Sequence, residues 1–265
     1  MTKNLLSSGM IAGAVAGLVM ALLQFWMIQP LIVEAERYET GELVLSLAIA
    51  VSDPAEEATT KPPVVSSTAH AGMEKTVGFD LSRNFQTALF LILMWSGFGL
   101  LTTAMLAATA VIKPTIQASG FAIAVIGFLA FCVAPALGLP PELPGMPAAD
   151  LEARQIWWLF TVVSTAIAAS VIVLSNSPLA SLAALAIGLL PHLVGAPVLD
   201  QQVAAVVPPE LSALFSARVI GLNLVAWVVL GLVVARLSGL TPSRATPTGL
   251  QSSQNGPQLD TSGMI

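Results

Sequence analysis

Long runs without a charged residue set the first constraint on how this chain can fold. Neither Asp, Glu, Lys nor Arg occurs in residues 4–33, 84–112, 114–141 or 155–199. A helix needs only about 20 consecutive apolar residues to cross the hydrocarbon core of a bilayer. A soluble domain could bury one such run in its core, but not all four in succession. The sequence therefore predicts a polytopic membrane protein whose solvent is the lipid bilayer.

The uncharged runs divide into six predicted spans, so the expected fold class is an all-α transmembrane helical bundle. The run 155–199 is long enough for two spans, and the turn formers Ser175-Asn176-Ser177-Pro178 separate them. Asp150 is placed to cap a helix that starts near Leu151. The predicted spans are Ser8–Val33, Phe85–Ile112, Ala118–Leu137, Ile156–Leu174, Leu179–Val198 and Leu211–Ala235.

The distribution of charge predicts that both termini are cytoplasmic, because basic residues in short loops favour that side of the membrane. With six spans and the N-terminus inside, every acidic residue except Asp260 faces outward. The chain is then a transmembrane domain, residues 1–240, with an acidic extracytoplasmic loop at 34–84. The polar tail, residues 241–265, is expected to be disordered. Four basic residues lie on the cytoplasmic side: Lys3, Lys113, Arg236 and Arg244.

Five residues on the predicted outer side are candidate ligands for a metal cation: His192, Glu34, Glu36, Asp200 and His70. Neutral imidazole binds borderline divalent cations, and carboxylates near a membrane mouth raise the local cation concentration. Pro191, Gly195 and Pro197 surround His192 and predict a broken helix whose exposed carbonyls add to an ion site. The same pattern fits an inert histidine at the outer interface, so both interpretations stay open.

Two further features of the predicted spans concern packing. Gly9, Gly13 and Gly17 recur at every fourth residue, and such a face lets a neighbouring backbone approach closely. The first span is therefore expected inside the bundle or at a partner interface. Arg218 lies within the sixth span, and we expect it to reach the outer interface or to pair with Glu210 or Asp200.

Several functions are not indicated by the sequence. It has no GxxxxGK[ST] nucleotide loop, no HExxH zinc pair and no GxSxG nucleophile elbow, so neither an enzyme nor a resident cofactor is expected. Ten Lys and Arg residues without a basic stripe make nucleic acid an unexpected partner. The single cysteine, Cys132, excludes an intrachain disulfide and is expected to pack in a helix.

Four stretches of the chain resemble the CbtA family, the proposed cobalt transporter subunits. The second is the most specific, because its prolines, acids and paired tryptophans are an unusual combination. The stretches are QPLIVEAERYE (Gln29–Glu39), GLPPELPGMPAADLEARQIWW (Gly138–Trp158), LPHLVGAP (Leu190–Pro197) and PPELSALFSARVIGLNLVAW (Pro208–Trp227).

The resemblance implies a multi-pass protein of the bacterial inner membrane, linked to cobalt supply for cobalamin. It also implies a small single-span partner, CbtB, with a histidine-bearing terminus. Family members carry a tract rich in His and acids before the second span, whereas this chain has His70 alone there.

Our hypothesis is a permease component for uptake of a divalent cation, Co²⁺, although the same ligand types also bind nickel. The alternative is a non-transporting scaffold or assembly subunit that binds partners through its glycine-rich helix faces. Either is compatible with a homo-oligomer.

Overall fold

A computed structural model describes residues 2–43, 81–115, 119–199 and 205–238. Within these ranges every regular element is a helix. Two π-helical turns, π1 (Gln24–Ile28) and π2 (Leu129–Val133), join α1 to α2 and α4 to α5, so the described residues form six continuous helical rods. The helices are α1 (Thr2–Leu23), α2 (Gln29–Glu39), α3 (Leu81–Ile112), α4 (Gly120–Phe128), α5 (Ala134–Ala136), α6 (Leu151–Leu174), α7 (Pro178–Val194) and α8 (Pro209–Leu237).

Four of the six rods are long and apolar enough to cross a membrane: Leu5–Glu39, Leu81–Ile112, Leu151–Leu174 and Pro209–Leu237. The other two, Gly120–Ala136 and Pro178–Val194, are apolar but no longer than 17 residues. A helix of that length reaches about 25 Å, somewhat less than a hydrocarbon core of about 30 Å. The described part of the chain therefore confirms an all-helical fold with four helices that could cross a membrane by length and composition, while six complete spans and the orientation of the termini stay predictions.

Local capping signals fix the ends of α6 and α7. Asp150 Oδ1 accepts a hydrogen bond from the Ala153 backbone N–H at 2.9 Å, and α6 begins at the next residue after Asp150, as predicted. The turn predicted at residues 175–178 is also confirmed, since α6 ends before it and Ser177 caps α7. However, α7 ends at Val194 rather than at the predicted Val198, because Gly195 follows with φ +89°.

Each π-helical turn is followed, after one intervening residue, by a proline. Pro30 follows π1 and Pro135 follows π2 in this way. A proline ring clashes with the carbonyl four residues earlier and supplies no N–H to it. In both rods that carbonyl belongs to the π turn, at Trp26 and at Phe131. The wider turn accommodates the clash without ending the helix.

The glycine face of α1 packs against α3. A Cβ atom added at Gly13 would overlap the carbonyl of Trp95, and one added at Gly99 would overlap the carbonyl of Gly9. The backbones of the two helices are therefore in direct contact. The expectation that this face lies inside the bundle is confirmed, and the partner of the glycines is a helix of the same chain.

Helix α8 completes the bundle, because it packs against both α1 and α4. Ser8 Oγ donates to the carbonyl of Leu237 at 3.1 Å and so ties the first helix to the last. In contrast, α7 is peripheral: among the described elements it packs against α6 alone. Its remaining surface is apolar and exposed, as expected of a helix that faces lipid.

Candidate functional site

A cavity of about 430 Å³ lies at the end of the bundle where α5 leads into α6. The connector between these helices, residues 137–150, forms one wall. The other walls come from π2, the first two turns of α6 and the middle of α8. Five polar side chains face this space among apolar ones: Cys132, Glu142, Arg154, Gln155 and Asn223.

An ion pair occupies the connector side of the cavity. Arg154 Nη2 donates to Glu142 Oε2 at 2.6 Å, and each of the two side chains is about one quarter exposed, at 26% and 25%. Among the described residues, Arg154 Nε is buried and has no hydrogen-bond partner. The charges of Glu142 and Arg154 cancel, so the cavity has no net charge in this arrangement.

The connector is held in place by α8. Ser216 Oγ donates to the carbonyl of Pro141 at 2.6 Å, next to Glu142. Further along the connector, Ser212 Oγ lies 3.0 Å from the sulfur of Met146, and Leu143 is buried in the main apolar core. Prolines limit the conformations of this segment. As a result, the Glu142 carboxylate is presented from a fixed backbone.

Aromatic rings close the inner side of the cavity. Phe131 and Trp158 line it, and both belong to a cluster with centroid separations between 5.0 and 6.1 Å. Trp227 lies at the centre of this cluster. Cys132 lines the cavity and also packs against the apolar core to which Trp227 belongs.

The oxygen and sulfur atoms that face the cavity suit a transiently bound cation better than a permanently bound one. Asn223 Nδ2 donates to the carbonyl of Val219 at 2.8 Å, which leaves Asn223 Oδ1 as the acceptor available to a ligand. With Gln155 and Glu142 the cavity offers oxygen ligands, and Cys132 adds a sulfur. However, the described residues contain no group of three or more His, Cys, Asp or Glu side chains that could hold a metal ion.

The surroundings of His192 differ from those predicted. Helix α7 is not broken at Pro191 but continues to Val194. The carbonyl of Pro191 accepts two hydrogen bonds, from the Gly195 N–H and from Trp157 Nε1, both at 3.0 Å. The His192 ring lies edge-on to Trp157 with a centroid distance of 5.8 Å. Pro191 has no N–H to donate to the carbonyl of Ile187. This carbonyl therefore lacks its helical hydrogen bond, as the prediction of exposed carbonyls required.

The two other predicted ligands that the structure describes, Glu34 and Glu36, are not gathered around His192. Glu34 is exposed on α2, and Glu36 forms an ion pair with Arg83 at 3.5 Å. His70 and Asp200 lie outside the described residues, as does the predicted tail, residues 241–265. Since His192, Glu34 and Glu36 are all described, the structure does not bring these three into one metal-binding group.

Arg218 makes a contact that the sequence did not predict. Its Nη1 donates to the carbonyl of Met27 in π1 at 2.9 Å. No carboxylate among the described residues lies within ion-pair distance of it. The guanidinium therefore joins α8 to the irregular turn of the first rod rather than pairing with Glu210.

Reasoning from the sequence also missed the Glu142–Arg154 pair. The two residues lie on opposite sides of a proline-rich connector and do not share a helix face. The available signal was the connector itself, in which four prolines constrain a segment that carries Glu142 and ends at Asp150, the cap of α6.

Comparison with protein-family models relates nearly the whole chain to one transport family. The model described as "Probable cobalt transporter subunit (CbtA)" matches residues 2–239, which include every described residue. No curated protein and no solved structure matches the chain significantly.

Proposed function

Because this chain belongs to the CbtA family of probable cobalt transporter subunits, we propose that it is a membrane permease component for uptake of a divalent transition-metal cation. We propose Co²⁺ as the substrate, with a link to cobalamin supply. The cavity carries the proposal, since carboxylate, amide and thiol groups line a space between apolar helices of membrane length. Asn223 lies in the middle of α8, and polar groups within helices that cross a membrane are costly and mark ion pathways.

The proposed route begins on the outer face. Glu34 and Glu36 raise the local concentration of cations there, with His70 and Asp200 as further ligands in the adjoining segments. His192 binds the ion during its passage, together with the Ile187 carbonyl that Pro191 leaves without its helical hydrogen bond. The exposure of Glu34 supports its role in attracting cations. The Pro191 carbonyl already accepts hydrogen bonds, so it is not among the ligands proposed beside His192.

The family description as a subunit implies a partner subunit. We propose that this partner is a small single-span protein with a histidine-bearing terminus, and that the complex lies in the bacterial inner membrane. Transport, rather than catalysis or scaffolding, is the role proposed for the chain. The scaffold alternative depends on a glycine face available to partners, and the glycines of α1 are instead covered by α3.

Uptake of ⁵⁷Co²⁺ tests the proposal in cells that lack their own cobalt importers and express the chain with the presumed partner. We expect wild type to accumulate the isotope and His192→Ala to reduce accumulation at least about tenfold at subsaturating Co²⁺, because an imidazole ligand is lost. Leu193→Ala, which changes an exposed neighbour on α7, serves as the matched control at equal expression. Full uptake by His192→Ala would make His192 structural, and no uptake by wild type would contradict the transport proposal.

The proposed route begins at the acidic loop on the outer face. With six spans, both termini then lie on the cytoplasmic side. A fluorescent protein fused after Ile265 is expected to fluoresce, whereas alkaline phosphatase at the same position is expected to be inactive, since each reports one side of the inner membrane. A phosphatase inserted after Pro62, within the predicted outer loop, should be active. The reverse pattern would contradict the predicted orientation and place the acidic loop inside.

A further inference from the structure

On the basis of the proposed function, we propose that Arg154 is a tethered cation that occupies the Glu142 carboxylate when the cavity holds no metal ion, and that an incoming divalent cation displaces it. The substrate class is the same as above. What is new is the residue that receives the ion in the cavity and the residue that competes for it.

The first support is the position of the pair. Among the described residues that line the cavity, Glu142 is the only carboxylate, and its Oε2 is held by Arg154 at 2.6 Å. A divalent cation and the guanidinium repel each other at contact distance, so an ion that binds this oxygen has to displace Arg154. The cation and Arg154 therefore compete for one carboxylate.

The second support is the incomplete bonding of Arg154. Its Nε is buried without a partner among the described residues, so the guanidinium is not locked by a full set of hydrogen bonds. A purely structural arginine at a half-buried site normally satisfies its buried donors. Asp150 lies four residues before Arg154, and since its Oδ1 caps α6, its second carboxylate oxygen is the acceptor proposed for the displaced guanidinium.

The third support is the contrast between the two partners. Glu142 lies on a connector that Ser216 fastens to α8 through the Pro141 carbonyl, whereas Arg154 has a long, flexible side chain on the first turn of α6. The carboxylate is consequently the stationary member and the guanidinium the movable one. Asn223 Oδ1 and Gln155 are the other oxygen ligands in the cavity, and its volume leaves room for the ion to keep part of its hydration shell.

Equilibrium binding of ⁵⁷Co²⁺ to the purified full chain in lipid nanodiscs tests the competition. We expect Glu142→Gln to weaken binding about fivefold or more and Arg154→Gln to strengthen it by a similar factor. The double variant should bind like Glu142→Gln, because Arg154 acts only through Glu142. Glu152→Gln removes an exposed carboxylate on the same helical turn as Arg154 and should leave binding unchanged.

A structural ion pair gives a different pattern, in which Glu142→Gln and Arg154→Gln both weaken binding or both leave it unaltered. Either result, or the absence of Co²⁺ binding in all variants, overturns the proposal. If Arg154→Gln is not monodisperse, Arg154→Met takes its place; it keeps a long apolar stem without the positive charge and must still bind Co²⁺ more tightly than wild type.

The uptake assay separates this proposal from the transport function on which it rests. Opposite affinity shifts without any cellular uptake would support the competition and contradict transport. Uptake by wild type, together with affinity shifts in the same direction, would support transport and overturn the competition.

Discussion

Gly99→Leu is expected to prevent α1 and α3 from packing and to destabilise the whole bundle. Even a Cβ atom at this position would overlap the Gly9 carbonyl, and the atom met is backbone rather than a side chain that can move aside. Overpacking a helix contact in this way costs about 3 kcal/mol or more. For a chain of this length, that corresponds to a Tm lower by roughly 6–12 °C, measured by size-exclusion chromatography after heating the detergent-solubilised protein.

Gly97→Leu is the matched control for this change. Gly97 lies on the same helix, two positions earlier, but a Cβ atom added there would meet no atom within 4 Å. The side chain would point away from α1, so the free energy of unfolding should change by about 0.5 kcal/mol or less. The Tm should therefore stay close to that of wild type. Equal losses for Gly97→Leu and Gly99→Leu would contradict the packing of α1 against α3.

Trp157→Ala is expected to loosen the hairpin formed by α6 and α7. The ring is buried and its Nε1 donates to the Pro191 carbonyl, so the change removes a large apolar contact and a hydrogen bond between the helices. Such truncations cost about 3–5 kcal/mol. Since α7 packs against α6 alone among the described elements, no other described helix compensates for the loss.

Disulfide cross-linking measures this effect directly. Cysteines at positions 168 and 188, introduced in a Cys132→Ser background, are expected to cross-link readily, because a Cβ atom at Gly188 would lie 3.1 Å from the Ala168 Cβ. Trp157→Ala should slow cross-linking at least about tenfold, which corresponds to about 1.4 kcal/mol. Trp26→Ala removes a ring that is 75% exposed and should leave the rate unchanged. Unchanged cross-linking in Trp157→Ala would show that Trp157 does not hold α7 in place.

The sequence predicted the helices well because their signals are local. An uncharged run needs no partner to identify it, and Asp150 caps α6 through its own backbone neighbour, Ala153. The spacing of Gly9, Gly13 and Gly17 predicted an internal face for the same reason. What the spacing could not predict was the partner, because α3 offers Gly99 at the crossing point without a comparable repeat.

The candidate site was harder to predict because it depends on contacts distant in sequence. Glu142 and Arg154 meet because the connector folds back onto α8, where Ser216 donates to the Pro141 carbonyl. The expected break at Pro191 was wrong because a proline in the last turn of a helix disrupts little, and Gly195 ends α7 instead. The prediction of His192 as a ligand, by contrast, rests on residue type alone and awaits the uptake measurement.

The hydrogen bond between Ser8 and Leu237 has a consequence for biosynthesis. Helix α8 is the last of the described helices to leave the ribosome, and it covers faces of both α1 and α4. Until it inserts, those faces lack their permanent neighbour, whereas the hairpin of α6 and α7 already has all the contacts that it makes within the described helices. The bundle therefore closes in a single late step, and a chain cut short before Pro209 would enter the membrane with its centre unassembled and open to degradation.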